Sequence, residues 1–388
     1  MNTPKLRFKE FNDEYKSYKF YDVAKLYRGS SPRPIVNFIT KSEDSVNWIK
    51  IGDVSPNETY INSTSEKITK EGAKKSRRVY KGEIILSNSM SFGRPYILNL
   101  DGCIHDGWFV VRDYEKLLNK KYLYHFMSSP LIQKQYKNLS AGGVVSNISS
   151  ELVYSVKLNI PSKEEQHKVA KFLSLLDKKI ELQTKKIEDL KLFKKGLHDK
   201  LFNEVTGNDY LLSDIAVFEN GKGHENIIDE NGKYILINSK FISTEGNVTK
   251  KCSEQLTPLF KNDITMVMSD LPNGKALAKC YYIDENNKYS LNQRICKIKV
   301  KDDSIINSKY LFYLLNRNSY YLRFDDGVNQ TNLKKDDILS LNLVLPSIKE
   351  QERDSKTLTI IDNFIEKENN KLSKLILLKK GLMQSMFV

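Results

Sequence analysis

Two stretches of this chain carry apolar residues at alternating steps of four and three. The first runs Val169, Leu173, Leu176, Ile180, Gln183, Ile187, Leu190, Lys194, Leu197, Leu201. The second runs Asp354, Leu358, Ile361, Ile365, Glu368, Leu372, Leu375, Lys379, Leu382, Met386. A mean period of 3.5 residues is the seam of a coiled coil, and the residues between, among them Lys178, Lys179, Lys185 and Lys186, are mostly charged. Each stretch opens on Pro-Ser followed by acidic residues, a helix start. About 40 residues at about 1.5 Å each give a helix of roughly 60 Å. Such a stripe on a lone helix leaves apolar surface in water, so each helix needs a partner. The nearest partner is the other helix, packed antiparallel within the chain about a pseudo-two-fold axis; a parallel pairing between chains is the competing geometry. Polar residues fall in the same two slots of both seams, Gln183/Glu368 and Lys194/Lys379. A buried polar seam residue fixes register at a cost in stability, whereas a frayed or solvated seam accepts it freely. Asp354, standing where the first seam has Val169, predicts looser packing at the start of the second helix.

Between the seams the period drops to that of strands. Trp48–Ile51, Glu83–Leu86 and Trp108–Val111 are short apolar runs bounded by turn residues, as are Tyr234–Ile237, Ile264–Met268 and Arg294–Ile298. Helical patterns follow at Lys121–Met127 and Lys309–Leu315. The class is α+β.

The chain also repeats itself, a signal with precedence over local pattern. Ile160-Pro161-Ser162-Lys163-Glu164-Glu165-Gln166 matches Leu345-Pro346-Ser347-Ile348-Lys349-Glu350-Gln351 at an offset of 185, without a gap to the C-terminus. Lys194-Lys195-Gly196-Leu197 matches Lys379-Lys380-Gly381-Leu382, and Phe202 matches Phe387. Upstream the likeness fades to a framework, as in Lys121-Tyr122-Leu123 against Lys309-Tyr310-Leu311 and Asp22-Val23-Ala24 against Asp214-Ile215-Ala216. Four segments follow: globular domains at 1–159 and 206–344, and helical spacers at 160–205 and 345–388. The two spacers are alike; the two globular domains share a frame and differ in detail.

Charge alters the picture more than composition does. The chain has 388 residues and a net charge of +14, which favours an anionic partner. The excess is uneven: 25 basic against 16 acidic residues over 1–160, but 18 against 19 over 203–345. The four cysteines are scattered, with no Cys-x-x-Cys pair, so neither a zinc site nor a disulfide framework is indicated. No apolar run approaches the ~20 residues of a bilayer span, and the N-terminus lacks a signal-peptide core. A soluble cytoplasmic protein is expected.

Loops of the globular domains hold the candidate contacts. Arg28 and Arg33 flank a Gly-Ser-Ser-Pro turn, Lys74, Lys75, Arg77 and Arg78 form the densest basic run, and Asn88, Ser89 and Arg94 lie in an amide- and hydroxyl-rich loop, with Asn147 farther on. In the second domain the counterparts resemble Lys222 and His224, then Asn273 and Lys275, then Asn329, Gln330 and Asn332. Lysine and arginine suit phosphates; arginine on guanine and asparagine or glutamine on adenine suit base edges. Phosphate-loop, zinc-protease and serine-hydrolase motifs are absent, and the five histidines show no metal-ligand spacing. Binding is favoured over catalysis. A scaffold whose end domains hold proteins, or an autonomous nuclease or methyltransferase, are the rival classes.

Two variable domains alternating with helical units that begin L-P-x-x-x-E-Q and end L-K-K-G-L-x-x-x-[LM]-F resemble the specificity subunit of type I restriction–modification systems. The residues carrying the likeness are 160–166, 345–351, 194–202 and 379–387, together with the Lys81-Gly82-Glu83-Ile84 and Lys261-Asn262-Asp263-Ile264 openings. The resemblance implies two target-recognition domains, each reading half of a bipartite double-stranded DNA site, and a helical pair acting as a ruler between them. It implies two methyltransferase (modification) subunits that bring S-adenosylmethionine, and restriction subunits in complexes that cleave. It implies no catalytic residue, metal or cofactor in this chain.

Overall fold

The computed structural model describes residues 3–54, 58–88, 93–140 and 148–388. Contacts divide the chain into two units, Met1–Lys186 with Glu368–Val388, and Ile187–Lys367. Each unit combines one globular domain with one end of each of two long helices, Lys163–Asn203 (41 residues) and Ile348–Met386 (39 residues).

In the first unit the central sheet orders its strands Lys25–Arg28, Trp108–Arg112, Ile84–Ser87, Pro95–Leu98 and Tyr60–Ile61. The pairings are antiparallel except the last. Alternate residues of these strands enter two different cores. Ile84, Leu86, Phe109 and Val111 pack on one side; Ile85, Trp108 and Val110 pack on the other. Burial on both faces is why these strands read as unbroken apolar runs instead of alternating ones. The first core continues onto the long helices through Val169, Leu173 and Met383, and onto Phe387 just past the end of the second. A second sheet holds Ile39–Thr40, Glu66–Ile68, Val46–Ile49, Gly102–Ile104 and Arg77–Val79. The run predicted at Trp48–Ile51 leaves its strand after Ile49, because the Lys50 backbone N–H donates to Asp53 Oδ2 (2.8 Å) and opens a short 3-10 turn over Ile51–Asp53.

The second unit repeats the frame with strands Ala216–Asn220, Ile295–Val300, Ile264–Val267 and Cys280–Tyr282. Here Ile264 and Met266 face one core, Val267 and Ile295 the other. Gly82 and Asn262 hold matching left-handed conformations (φ 90° and 74°) just before the equivalent strands Ile84–Ser87 and Ile264–Val267. The class is α+β, as expected.

The glutamines of the repeated Glu-Gln pair fasten each long helix to its domain. Gln166 donates through Nε2 to the carbonyls of Leu117 and Pro161 (both 3.0 Å) and accepts from the Asn119 backbone N–H (2.8 Å). Gln351 repeats this with Ile305 (3.0 Å), Pro346 (2.9 Å) and Asn307 (2.9 Å). The two asparagines cap the helices Lys120–Met127 and Ser308–Leu315. The glutamates diverge. Glu165, 1% exposed, accepts from Arg7 and from the Tyr15 hydroxyl (2.7 Å), while Glu350 accepts from Ser347 at its own helix start.

Within each unit the two helix ends run antiparallel. Every apolar seam residue is buried or half-buried: Leu173, Leu176, Ile180, Ile187, Leu190, Leu197, Leu358, Ile361, Ile365, Leu372, Leu375 and Leu382. The polar slots are built features. In the first unit Gln183 and Glu368 are both buried, and Gln183 Nε2 donates to the carbonyl (3.1 Å) and the carboxylate of Glu368, to which Lys186 adds an ion pair (3.0 Å). These hydrogen bonds hold the Glu368 carboxyl below the usual range. Lys379 pairs with Asp177 in the first unit, and Lys194 with Asp362 in the second; these are the same pair displaced by the repeat. Asp354 is buried and paired with Arg353 (2.9 Å).

Beside Asp177 the units differ. In the second, the Tyr313 hydroxyl donates to Asp362 (2.8 Å); at the matching place in the first stands His125, 1% exposed, with Nδ1 3.7 Å from Asp177. Burial, with Lys379 and Lys121 nearby, lowers the imidazole to about 3, so the ring is neutral and no ion pair forms. Burial raises Asp177 against the pull of Lys379. An unfolded histidine takes a proton near pH 6.5 that the folded one refuses until about pH 3. The stabilisation from neutral His125 is therefore complete above 6.5 and shrinks as pH falls, while Asp177, raised by burial, contributes with the opposite sign. Between pH 7 and 5 the protein is expected to lose about 2 kcal/mol that His125→Gln retains. Urea unfolding of both proteins at pH 5, 6 and 7 measures this; equal losses refute it.

Candidate nucleic-acid interface

Strand register gathers the candidate loops. In the first unit the end of Lys25–Arg28, the start of Trp108–Arg112, the end of Ile84–Ser87 and the start of Pro95–Leu98 share one edge of the sheet. Their connections at residues 29–33 and 105–107, with Asn88 and residues 93–94, therefore meet there. Asp106 is the hub. Its carboxylate accepts from Ser31 Oγ (3.2 Å) and lies 2.8 Å from His105 Nε2 and 3.5 Å from the Arg33 guanidinium. Its carbonyl accepts from Arg28 Nε (3.3 Å) and Asn88 Nδ2 (2.9 Å). Arg77 Nε donates to the Arg28 carbonyl (3.2 Å), and the Ser76 hydroxyl to that of Ser30 (2.6 Å), which brings the basic run to the same edge. Lys75 caps the Phe38 ring at 4.8 Å. Arg28, Arg33, Lys74, Lys75, Arg77 and Arg78 are all exposed, and Arg94 is half-buried. An open cleft of about 780 Å³ adjoins the hub, with Arg33, His105 and Asp106 in its wall.

In the second unit the same sheet edge carries residues 221–224, 268–275 and 292–294. The loop after Val267 is tied to the 327–332 segment: Ser269–Asp270 pairs with Thr331–Asn332, Asn273 Nδ2 donates to the Gly327 carbonyl (3.1 Å), and Gln330 Nε2 to Ser269 Oγ (2.7 Å). Asn273, Lys275, Asn329, Gln330 and Asn332 are thus one exposed group, and Lys222 stands exposed on the neighbouring loop.

Two expectations change. His224 is 1% exposed, with Nδ1 2.7 Å from the Lys222 carbonyl and Nε2 2.7 Å from Ser290 Oγ. Both ring nitrogens are spent on the fold, so it braces its turn and reaches no nucleic acid. Asn88 is also buried, its amide committed to Asp106, and it positions the hub instead of reading a base. The basic run has no basic counterpart. Arg78 faces Cys103 on the sheet, and Pro258 takes that place opposite Ser290, so Thr257 and Pro258 replace the two arginines. Ser89 and Asn147 lie outside the described residues.

A turn that sequence reasoning passed over is shared by both units. His105 N–H donates to Ile49 (3.1 Å) as Asn292 does to Ile237 (3.0 Å), and Gly29 N–H to Trp108 (2.8 Å) as Gly221 to Ile295 (3.0 Å). Ser30 bonds Ile104 (3.2 Å) as Lys222 bonds Leu291 (3.3 Å), and Asn88 bonds Gly107 (2.9 Å) as Met268 bonds Arg294 (3.0 Å). A Cβ on Gly29 or Gly221 would collide with the carbonyl oxygen of His105 or Asn292, so only glycine admits this approach. Isolated Arg-Gly and Asn-Gly dipeptides give no hint of it.

Among the described residues no cluster of metal-ligating side chains occurs, and the four cysteines are free and buried. No described helix is long and apolar enough to cross a membrane.

The family model for the type I restriction modification DNA specificity domain matches residues 12–192 and 207–376. The MjaVIII specificity subunit of a type I restriction enzyme from Methanocaldococcus jannaschii is 24% identical over 291 residues, 67% of this chain and 68% of that protein. The MjaIX specificity subunit from the same organism is 26% identical over 215 residues, 53% of this chain and 49% of that protein. Among solved structures, the S subunit of a type I restriction–modification system from M. genitalium superposes with a TM-score of 0.61 at 16% identity, covering 100% of this chain and 99% of that one. A chain from a study of type I complex assembly and conformational transition gives 0.58 at 15% identity, covering 95% and 96%.

Proposed function

The chain belongs to the type I restriction modification DNA specificity family, and on that premise we propose that it directs methyltransferase subunits to a bipartite double-stranded DNA site, each unit reading one half. The observation that carries this reading is the repeated sheet edge, which presents equivalent loops with different side chains in the two units. Arg28, Arg33, Lys74, Lys75, Arg77 and Arg78 supply phosphate attraction in the first. Lys222, Asn273, Lys275, Asn329, Gln330 and Asn332 supply a less charged, amide-rich surface in the second. The long helices act as the ruler between half-sites.

Chemistry comes from the partners. Two methyltransferase subunits bring S-adenosylmethionine and the adenine-modifying site, and restriction subunits join in complexes that cleave. The number two is supported by the repeat itself. Leu175, Leu377 and Leu378 are exposed on the helix ends of the first unit, and their equivalents Ile360, Leu192 and Phe193 are exposed on those of the second. Duplicate apolar patches suit two copies of one partner.

Methylome sequencing of cells expressing the methyltransferase with and without this chain tests the reading. A two-part methylated motif is expected only with the chain. Removing one helical turn within 170–200 and its equivalent in the second helix is expected to change the spacer and neither half-site. Absence of any motif would leave the chain a non-catalytic scaffold.

A further inference from the structure

The turn shared by the two units makes the same four backbone hydrogen bonds and carries different side chains: His105-Asp106-Gly107 in the first, Asn292-Gln293-Arg294 in the second. We infer that this turn carries the side chains that make the two half-sites differ, with Arg294 as a guanine reader in the second unit. The inference rests on the DNA-reading function proposed above.

Four paired backbone hydrogen bonds and one glycine approach fix the turn in each unit, so it is a rigid mount. Rigid placement is what base readout requires, since a bidentate contact tolerates little misplacement. The residue types are those that discriminate bases. In the first unit the Asp106 carboxylate is spent on Ser31 and Arg33, so what it gives this edge is the placement of Arg33. Gln293 gives its amide N–H to Glu225, whereas Arg294 keeps a guanidinium fork that matches the O6 and N7 acceptors of guanine.

Arg294 carries the argument furthest. Its φ is +67°, a conformation side chains rarely adopt, whereas the first unit has glycine at this point. This is also why the strand expected from Arg294 begins at Ile295. The arginine is exposed, and among the described residues its guanidinium makes no hydrogen bond or ion pair. Folding gains nothing visible from a long side chain held at an unfavourable backbone angle, and an unspent fork at the candidate interface points outward, to a ligand.

The test uses the full chain with its methyltransferase subunits. Arg294→Ala and Arg294→Gly are compared with the double variant His105→Asn, Asp106→Gln by methylome motif, by modification rate on cognate and one-base-altered duplexes, and by melting temperature. The arginine variants are expected to lower modification of the cognate site about 10- to 100-fold. They should relax one guanine in one half-site and leave the other half and the spacer alone. Arg294→Gly should melt no lower than the parent. The double variant should alter the opposite half only. A motif unchanged in all three overturns the inference, and so does a uniform loss across all sequences, which marks a phosphate contact. Both leave the wild-type motif, and with it the DNA-reading function, standing; a wild-type complex with no motif sinks the two together.

Discussion

Replacing Lys74, Lys75, Arg77 and Arg78 together with alanine is expected to weaken binding of the assembled complex to DNA of every sequence by about 10²- to 10³-fold near physiological salt. The four side chains are exposed at the sheet edge where the candidate loops meet. Each phosphate contact removed takes about 0.9 from the slope of log affinity against log salt, so the slope should fall by about 3 to 4. Folding is expected to survive, because what these side chains contribute internally is slight: approaches of Lys75 to Phe38 (4.8 Å) and of Arg77 to Tyr27 (5.7 Å), and one hydrogen bond from Arg77 to the Arg28 carbonyl. The same treatment of Lys222 and Lys275 should cost much less, since Thr257 and Pro258 stand where the first unit has its arginines. Titration of labelled duplex at several salt concentrations reads both numbers. An unaltered slope would return the four residues to ordinary surface.

Leu173→Asp and Leu358→Asp should each destabilise the protein by about 4 kcal/mol or more, and in different places. The two residues are equivalent by the repeat, both are 0% exposed, and they lie in different units. Leucine truncation in a core costs about 2–5 kcal/mol, and a buried carboxylate without a partner adds the expense of leaving water. Unfolding followed separately by hydrogen exchange in residues 120–127 and 308–315 should show loss of protection first in the former for Leu173→Asp and first in the latter for Leu358→Asp. Equal protection in both helices for either variant would contradict the division into units.

Much of this architecture was legible because it follows from periodicity. The 3.5-residue seam located both long helices, since one stripe of each is buried and the rest is wet. The offset of 185 put Lys194 and Lys379 in equivalent slots, but not their ion pairs with Asp362 and Asp177, which the structure shows. What periodicity could not separate was whether Gln183 and Glu368 were buried or solvated, because a polar residue on a seam looks the same in both cases; burial and a shared hydrogen bond decide it. The loops were harder. His224 and Asn88 are residue types found equally at interfaces and inside turns, and only their hydrogen-bond partners tell which. The hub residue Asp106 escaped notice because acidic residues are not sought at an anion-binding edge, yet it is what holds Arg33 and Arg28 there. The lack of a basic run in the second unit was legible in its charge balance, but not that Thr257 and Pro258 stand in the arginines' place, which they match by sheet register and by nothing in the local sequence.

The Gln183–Glu368 bond has a bearing on which helices can meet. Had duplication left the same residue in both slots, a helix could not distinguish its sister from its own duplicate on a neighbouring molecule. With an amide on one and a carboxylate on the other, the sister match gives a donor its acceptor. Two second helices from separate molecules would bury a pair of anions against each other, and two first helices would forgo the Lys186 contact to a carboxylate. One divergent pair of side chains thus turns a symmetric repeat into a chain that prefers its own company.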